Sequence, residues 1–263
     1  MKLNICIIDA FTTKQFSGNQ AAVILLDTWL STEVMQSIAA ENNLSETAFV
    51  VRNTSGIFDI RWFSPMREVD FCGHATLASA YVIFSQNIAL SEINFWAEAV
   101  GTLNVKNTEG GLIEMAFPNR EPIGVSEVPH ALREGLSVAP IAYLKSQQAY
   151  FAILANEEQV KSVIPDVEKL KTLDPYDVVV TAPGKEFDFV SRYFWPANGG
   201  VEDPVTGSIH AGLAPYWAKE LNKNTLVALQ ASQRSGVLYC RVEESTVYVS
   251  GYCVRYLEGC ITI

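Results

Sequence analysis

The chain has 263 residues, 49% of them hydrophobic and 18% charged, which is the composition of an ordered globular protein and excludes a disordered scaffold. That length fits one large domain or two packed ones. The formal charge is -10, and the Lys and Arg residues are scattered singly, so nucleic acid and anionic membrane surfaces are not expected partners.

The amino terminus carries one Lys and a short apolar run that Asp9 interrupts, which predicts no secretory signal. No apolar run approaches the length of a membrane span. Five Cys residues, an odd count without paired spacing, predict reduced thiols and a cytoplasmic protein. With three His and no Cys-x-x-Cys, no metal site is expected.

Strand-like runs follow one another at 3–8, 21–26, 48–52, 58–63, 93–97, 103–106 and 112–117. They continue at 141–145, 150–154, 177–182, 187–194, 225–231, 237–242 and 247–251. The alternation Phe58-Asp59-Ile60-Arg61-Trp62 marks a half-buried antiparallel strand. Helical patterns are fewer. Ser31 caps one that runs to Asn42, Ser126-Glu127 begins another, and a third covers 157–163. Two helices, 75–84 and 209–218, are apolar on almost every face and must be buried all round. Pro215 should kink or shorten the second.

Each apolar helix begins with Gly and a polar residue, Gly73-His74 and Gly207-Ser208. Each follows an acidic segment, Glu68 and Asp70 before the first, Glu202 and Asp203 before the second. This is a faint internal repeat. It divides the chain into domains 1–118 and 119–263 at the turn-rich Pro118-Asn119-Arg120-Glu121-Pro122. The last strands, from Val247, either stay in the second half or return to the first.

Helix amino termini attract anions through free N–H groups and the helix dipole. Gly73 and Gly207 permit close approach of a ligand to the backbone. Ser208 adds a hydroxyl and His74 a ring N–H. If the halves face each other, the two termini converge on one cleft suited to a small carboxylate. The plainer reading is that His74 and Ser208 cap their helices. Glu46 lies between a helix and an apolar strand, where a carboxyl group partly removed from water can take and return a proton. Alone, it is also an ordinary turn Glu. Asp203, in a Gly-rich loop, can accept a proton, orient a substrate or cap the next turn. Cys72 is a nucleophile, a base or core filler. Asn19 follows a Gly turn and offers its amide to a ligand. Gln230 lies on a strand that turns and returns.

Together these residues resemble the PhzF-like (phenazine biosynthesis) family. The matching pieces are Asp9-Ala10-Phe11 with Phe16-x-Gly18-Asn19, Leu44-Ser45-Glu46-Thr47-Ala48-Phe49, Arg61-Trp62-Phe63-Ser64-Pro65, Phe71-Cys72-Gly73-His74-Ala75-Thr76 and Glu202-Asp203-Pro204-Val205-Thr206-Gly207-Ser208. Any one is weak, but their shared order and spacing are specific. The resemblance implies a diaminopimelate-epimerase-like α/β (α+β) fold: two pseudo-symmetric domains, each a mostly antiparallel strand barrel around a central buried helix. It also implies Glu46 as general acid/base. His74 and Asp203 are then proton-relay or positioning residues, and Asn19, Cys72, Gly73, Gly207 and Ser208 contact the substrate. A homodimer without metal or organic cofactor is the family pattern.

The function expected from this is an isomerase that moves a proton on a small carboxylate-bearing metabolite. Epimerisation or racemisation on the same fold needs a thiol at each helix start. Only Cys72 is present, opposite Thr206-Gly207-Ser208. A non-catalytic small-molecule binding or interaction protein is the alternative from another class.

Overall fold

The computed structural model describes residues 1–263. They form a mixed α/β fold, mostly sheet with few helices, in two compact units. The first comprises Met1–Ala116 and Ser250–Ile263, the second Phe117–Val249.

In the first unit the strands are β1 (Lys2–Ala10), β2 (Asn19–Leu26), β3 (Glu46–Arg52), β4 (Phe58–Phe63), β5 (Glu68–Val69), β6 (Glu92–Ala97), β7 (Gly101–Asn107), β8 (Ile113–Pro118) and the last strand, β18 (Cys253–Thr262). β18 pairs antiparallel with β1, β1 antiparallel with β2, and β2 parallel with β3. β3 pairs antiparallel with β4, whose far edge is shared by antiparallel β5 and parallel β6. β7 and β8 extend the order antiparallel. Parallel neighbours need a crossover, and α1 (Thr32–Asn42) and α2 (Gly73–Gln86) provide it.

Local chemistry sets both helices. Ser31 accepts the Val34 N–H, and Asn43, in the left-handed region at φ 48°, closes α1 by donating its N–H to the Ala39 carbonyl. α2 is buried from Gly73 through Ala80 and again at Val82, Ile83 and Phe84. It packs on β1, β2, β3, β7 and β18, so apolar neighbours meet nearly every face and no polar stripe is needed. The opposite face of the sheet has its own core under α1, where Met35 and Ile38 meet Ile5, Ile24, Phe49 and Phe63.

The second unit contains β9 (Ile123–Gly124), β10 (Ala142–Lys145), β11 (Ala149–Ile153), β12 (Asp177–Pro183), β13 (Phe189–Phe194), β14 (Glu202–Asp203), β15 (Thr225–Gln230), β16 (Gly236–Val242) and β17 (Thr246–Gly251). Its helices are α3 (His130–Glu134), α4 (Glu157–Ser162), α5 (Val167–Lys171) and α6 (His210–Leu221). The pairing series repeats that of the first unit. β10 and β11 are antiparallel, β11 and β12 parallel, and β12 and β13 antiparallel. β13 then shares its edge between antiparallel β14 and parallel β15, and β15 pairs antiparallel with β16. Residue positions correspond as well. Glu68 lies opposite Phe63 and Glu202 opposite Phe194. Arg61 clasps Glu68 through two hydrogen bonds of 2.6 Å, and Arg192 clasps Glu202 through two of 2.8 Å.

α6 is the counterpart of α2. Trp217 donates to the Thr181 hydroxyl of β12 at 2.9 Å and stacks on Phe189 of β13, and a Cβ on Gly212 would collide with Phe151 of β11. Pro215 sits inside α6 without shortening it. The carbonyl that its missing N–H leaves behind, that of Ala211, accepts instead from the Arg120 N–H at 3.0 Å.

Two expectations need correction. The helix placed at Ser126-Glu127 begins at His130, because Pro129 is its cap and the residue before a proline is kept out of helical geometry. Gly207 and Ser208 are not the first residues of α6. They lie in a tighter turn before it, with N–H groups of His210, Ala211 and Gly212 donating three residues back. α5 and the two-residue strands are additions to the sequence reading, and the last strand, left open between the halves, pairs with β1.

Candidate functional site

In the first unit, Asn19, Glu46, Cys72, Gly73 and His74 come together. The turn after α1 delivers Glu46 to the first position of β3, Asn19 begins β2, and Cys72 caps α2. The Glu46 side chain is 13% exposed, and its Oε2 lies 3.0 Å from His74 Nε2. The contact is off-line: Oε2 is buried and no hydrogen bond of regular geometry reaches it. His74 Nδ1 faces the Asn19 amide nitrogen at 3.2 Å and the Cys72 sulfur at 3.4 Å. Ser45 donates its hydroxyl to the Asn19 carbonyl oxygen at 3.1 Å, an arrangement in which the amide NH2 faces His74. In the neutral ring Nδ1 then accepts, and Nε2 carries the proton towards Glu46, a tautomer assigned from this network. Cys72 makes no regular side-chain capping hydrogen bond at the amino end of α2, where the helix dipole favours an anion.

Burial raises the Cys72 pKa to about 11, with the Glu46 charge adding to the effect, so it is a neutral thiol near pH 7. Burial opposes charging of His74, but Cys72 and Glu46 overcome this and hold its pKa well above 6.5. Because Cys72 keeps its proton near neutrality, the Glu46 carboxylate supplies the attraction there. Ligand atoms of Glu46, Cys72 and His74 lie within 4.8 Å of one another, a set that a thiophilic cation could also use. As arranged, however, Nε2 keeps a proton for Glu46 rather than a lone pair for a metal.

In the second unit, Asp203 lies in β14 opposite Tyr193, and the Thr206 hydroxyl donates to its carboxylate. Gln230, fully buried, ties this loop together. It accepts the Thr206 N–H and donates to the Asp203 carbonyl, both at 2.9 Å. Ser208 is half-buried and accepts a hydrogen bond from Gln148 Nε2 at 3.0 Å. His210 donates from Nδ1 to the Thr206 carbonyl at 2.9 Å, and burial pushes its pKa down to about 4, so it is a neutral structural group. Asp203, Thr206, Gly207 and Ser208 thus occupy, in their own half, the stretch that Val69, Cys72, Gly73 and His74 occupy in theirs. Residue-by-residue reading of the sequence missed Ser45, Gln148, Asp177 and Tyr193. Aligning the two halves on their parallel strands would have found Asp177, because it begins β12 as Glu46 begins β3.

The family described as phenazine biosynthesis-like protein, PhzC-PhzF, matches residues 8–259. A Pseudomonas aeruginosa protein named uncharacterized isomerase is 44% identical over 259 residues, covering 98% of either chain. A crystal structure of a PhzF-family protein of Enterococcus faecalis superposes with a TM-score of 0.95 at 41% identity over 100% of both chains. A hydroxyproline epimerase of Agrobacterium vitis, at 11% identity and TM-score 0.62 over 99% of this chain and 92% of its own, shares the fold.

Proposed function

Since this chain belongs to the PhzC-PhzF, phenazine biosynthesis-like family, we propose that it is an isomerase that shifts a proton on a small carboxylate-bearing metabolite, with Glu46 taking and returning that proton. The observation that carries this reading is the largely buried Glu46 carboxylate, with Oε2 3.0 Å from His74 Nε2 but without a regular hydrogen bond. A structural carboxylate would be saturated with donors. One held only by a neighbouring imidazole can exchange protons with it and keeps its second oxygen for a substrate.

In the first unit a substrate carboxylate docks at the amino end of α2, and in the second Ser208 and Asp203 offer a carboxylate the equivalent contact. Glu46 removes a proton from an acidic C–H, and the electron pair spreads into the adjoining conjugated system. Glu46, or His74 through Nε2, returns a proton at another carbon, so the product is an isomer and the enzyme regains its starting state. Acid–base help of this kind contributes ~10²–10⁴-fold, and donors aimed at the developing negative charge contribute further.

Epimerisation by two thiols is disfavoured, because the register position matching Cys72 holds Thr206. A Thr hydroxyl is a far weaker base than a thiolate near neutral pH.

The test is proton exchange from D2O into cyclic dienyl carboxylates and amino acids, followed by NMR, with binding measured by calorimetry. Exchange that disappears in Glu46→Gln while binding persists supports the enzyme. Binding without exchange for every ligand would leave a non-catalytic binding protein.

A further inference from the structure

The second unit holds a partly buried polar chain, centred on buried Tyr193, that leads to Ser208 through residues the mechanism above does not use. The Tyr193 hydroxyl donates to Asp177 Oδ2 at 2.5 Å, and Asn198 Nδ2 donates to Asp177 Oδ1 at 2.9 Å. Gln148 Nε2 lies 2.9 Å from the Tyr193 oxygen and 3.0 Å from Ser208 Oγ. We propose that Asp177 and Tyr193 act through Gln148 as positioning residues that turn the hydroxyl hydrogen of Ser208 outward, making Ser208 an obligate donor to the substrate. The inference rests on the reading that Ser208 orients a carboxylate-bearing substrate.

The argument is a count of hydrogens. A carboxylate only accepts. Tyr193 has one hydroxyl hydrogen and spends it on Asp177, so towards Gln148 its oxygen can only accept. That fixes the orientation of the Gln148 amide, whose NH2 must face Tyr193. The other hydrogen of that NH2 points at Ser208 Oγ, which must accept in turn. The Ser208 hydrogen then has nothing to donate to on the protein side of this chain. Ser208 is half-buried, so the hydrogen has room to face a ligand. Burial, with the Asp177 charge next, holds the Tyr193 pKa well above 10, so the phenol keeps the hydrogen that sets the direction.

The internal repeat gives independent support. Glu46 lies opposite Ala21 at the start of β3, and Asp177 lies opposite Ala149 at the start of β12. His74 and Ser208 likewise match, each five residues beyond the paired position Val69 or Asp203. In the first half a long carboxylate side chain meets an imidazole directly at 3.0 Å. In the second, Asp and Ser are both shorter, and Tyr193 and Gln148 span the gap. The same two register positions are thus coupled in both halves, by contact in one and by relay in the other.

Neutron diffraction from D2O-exchanged crystals at neutral pD decides the matter without any substrate, and so stands apart from the isomerase reading. The expected map puts one deuteron on Tyr193 Oη towards Asp177, two on Gln148 Nε2, and the Ser208 deuteron directed away from Gln148. A Ser208 deuteron on the line to Gln148, or a Gln148 oxygen facing Ser208, overturns the proposal. In Tyr193→Phe the amide loses its constraint, and the Ser208 deuteron should redistribute towards Gln148. A Ser208 orientation unchanged in that variant would overturn the relay while leaving the fold intact.

Discussion

Cys72 and Thr206 hold the same place in the two halves, three residues beyond the positions where Val69 and Asp203 face Trp62 and Tyr193. One half offers a thiol and the other a hydroxyl. The thiol is buried beside a carboxylate, and its pKa is about 11. Near pH 7.5 about one molecule in a few thousand carries the thiolate. Native protein treated with iodoacetamide at that pH should be alkylated at exposed Cys260 and spared at Cys72, as peptide mass mapping will read. Cys72→Ala should change C–H exchange by less than about tenfold, against the ~10²–10⁴-fold expected for Glu46→Gln. Equal losses in the two variants would make Cys72 a participant.

Glu46 contrasts with a structural ion pair. Removing one partner of a buried pair costs about 3–5 kcal/mol. Glu46 Oε2 is without a regular hydrogen bond but its charge favours protonated His74, so Glu46→Gln should lower the unfolding free energy in urea by about 1–2 kcal/mol. A loss of several kcal/mol would reassign Glu46 to holding the fold.

His210 makes stability depend on pH. Its pKa is about 4 in the folded protein because it is buried, against about 6.5 when unfolded. Below pH 6.5 the unfolded chain binds a proton that the folded chain refuses, so stability falls as pH drops towards 4 and levels out below. The contribution is on the order of 3 kcal/mol. His210→Asn can keep the hydrogen bond to Thr206 but cannot titrate. Urea melts of this variant from pH 7 to 4 should lack that component. An identical pH dependence in both proteins would locate the acid sensitivity elsewhere.

The two arginine clasps match in register and differ in surroundings. Arg61 Nη2 also meets Thr32, whereas Arg192 Nη1 also donates to the carbonyls of Val160, Lys161 and Val163, the last at 2.8 Å. Arg61→Ala should therefore cost about 1 kcal/mol or less, and Arg192→Ala about 3 kcal/mol, because the second also strips the end of α4. Thermal unfolding of the two variants compares them directly, and equal shifts would refute the difference.

How much of this the sequence reveals depends on distance along the chain. β4 is legible from its alternation, and α2 from an apolar surface that only full burial explains. β5 and β14 have two residues each and so no period to read. β18 is expected as a strand but not its partner, because most of its side chains are exposed and its pairing with β1 leaves no apolar pattern. Pro215 reads as a helix breaker because the compensating N–H comes from Arg120, far away in sequence. Glu46 and His74 were found through short motifs. Asp177, Tyr193 and Gln148 belong to no motif, and their partnership exists only once β11, β12 and β13 are in register.

The pairing of β1 with β18 sets residues far apart in sequence side by side: Lys2 faces Thr262, and the Ile263 N–H donates to the Met1 carbonyl at 2.9 Å. During synthesis the ribosome releases residues 117–249 before it releases the strand that flanks β1. The middle of the chain can therefore reach its native form while the beginning still waits with an open edge. Order of birth and order of completion are reversed: the unit whose first strand is made earliest is the one whose sheet is finished last.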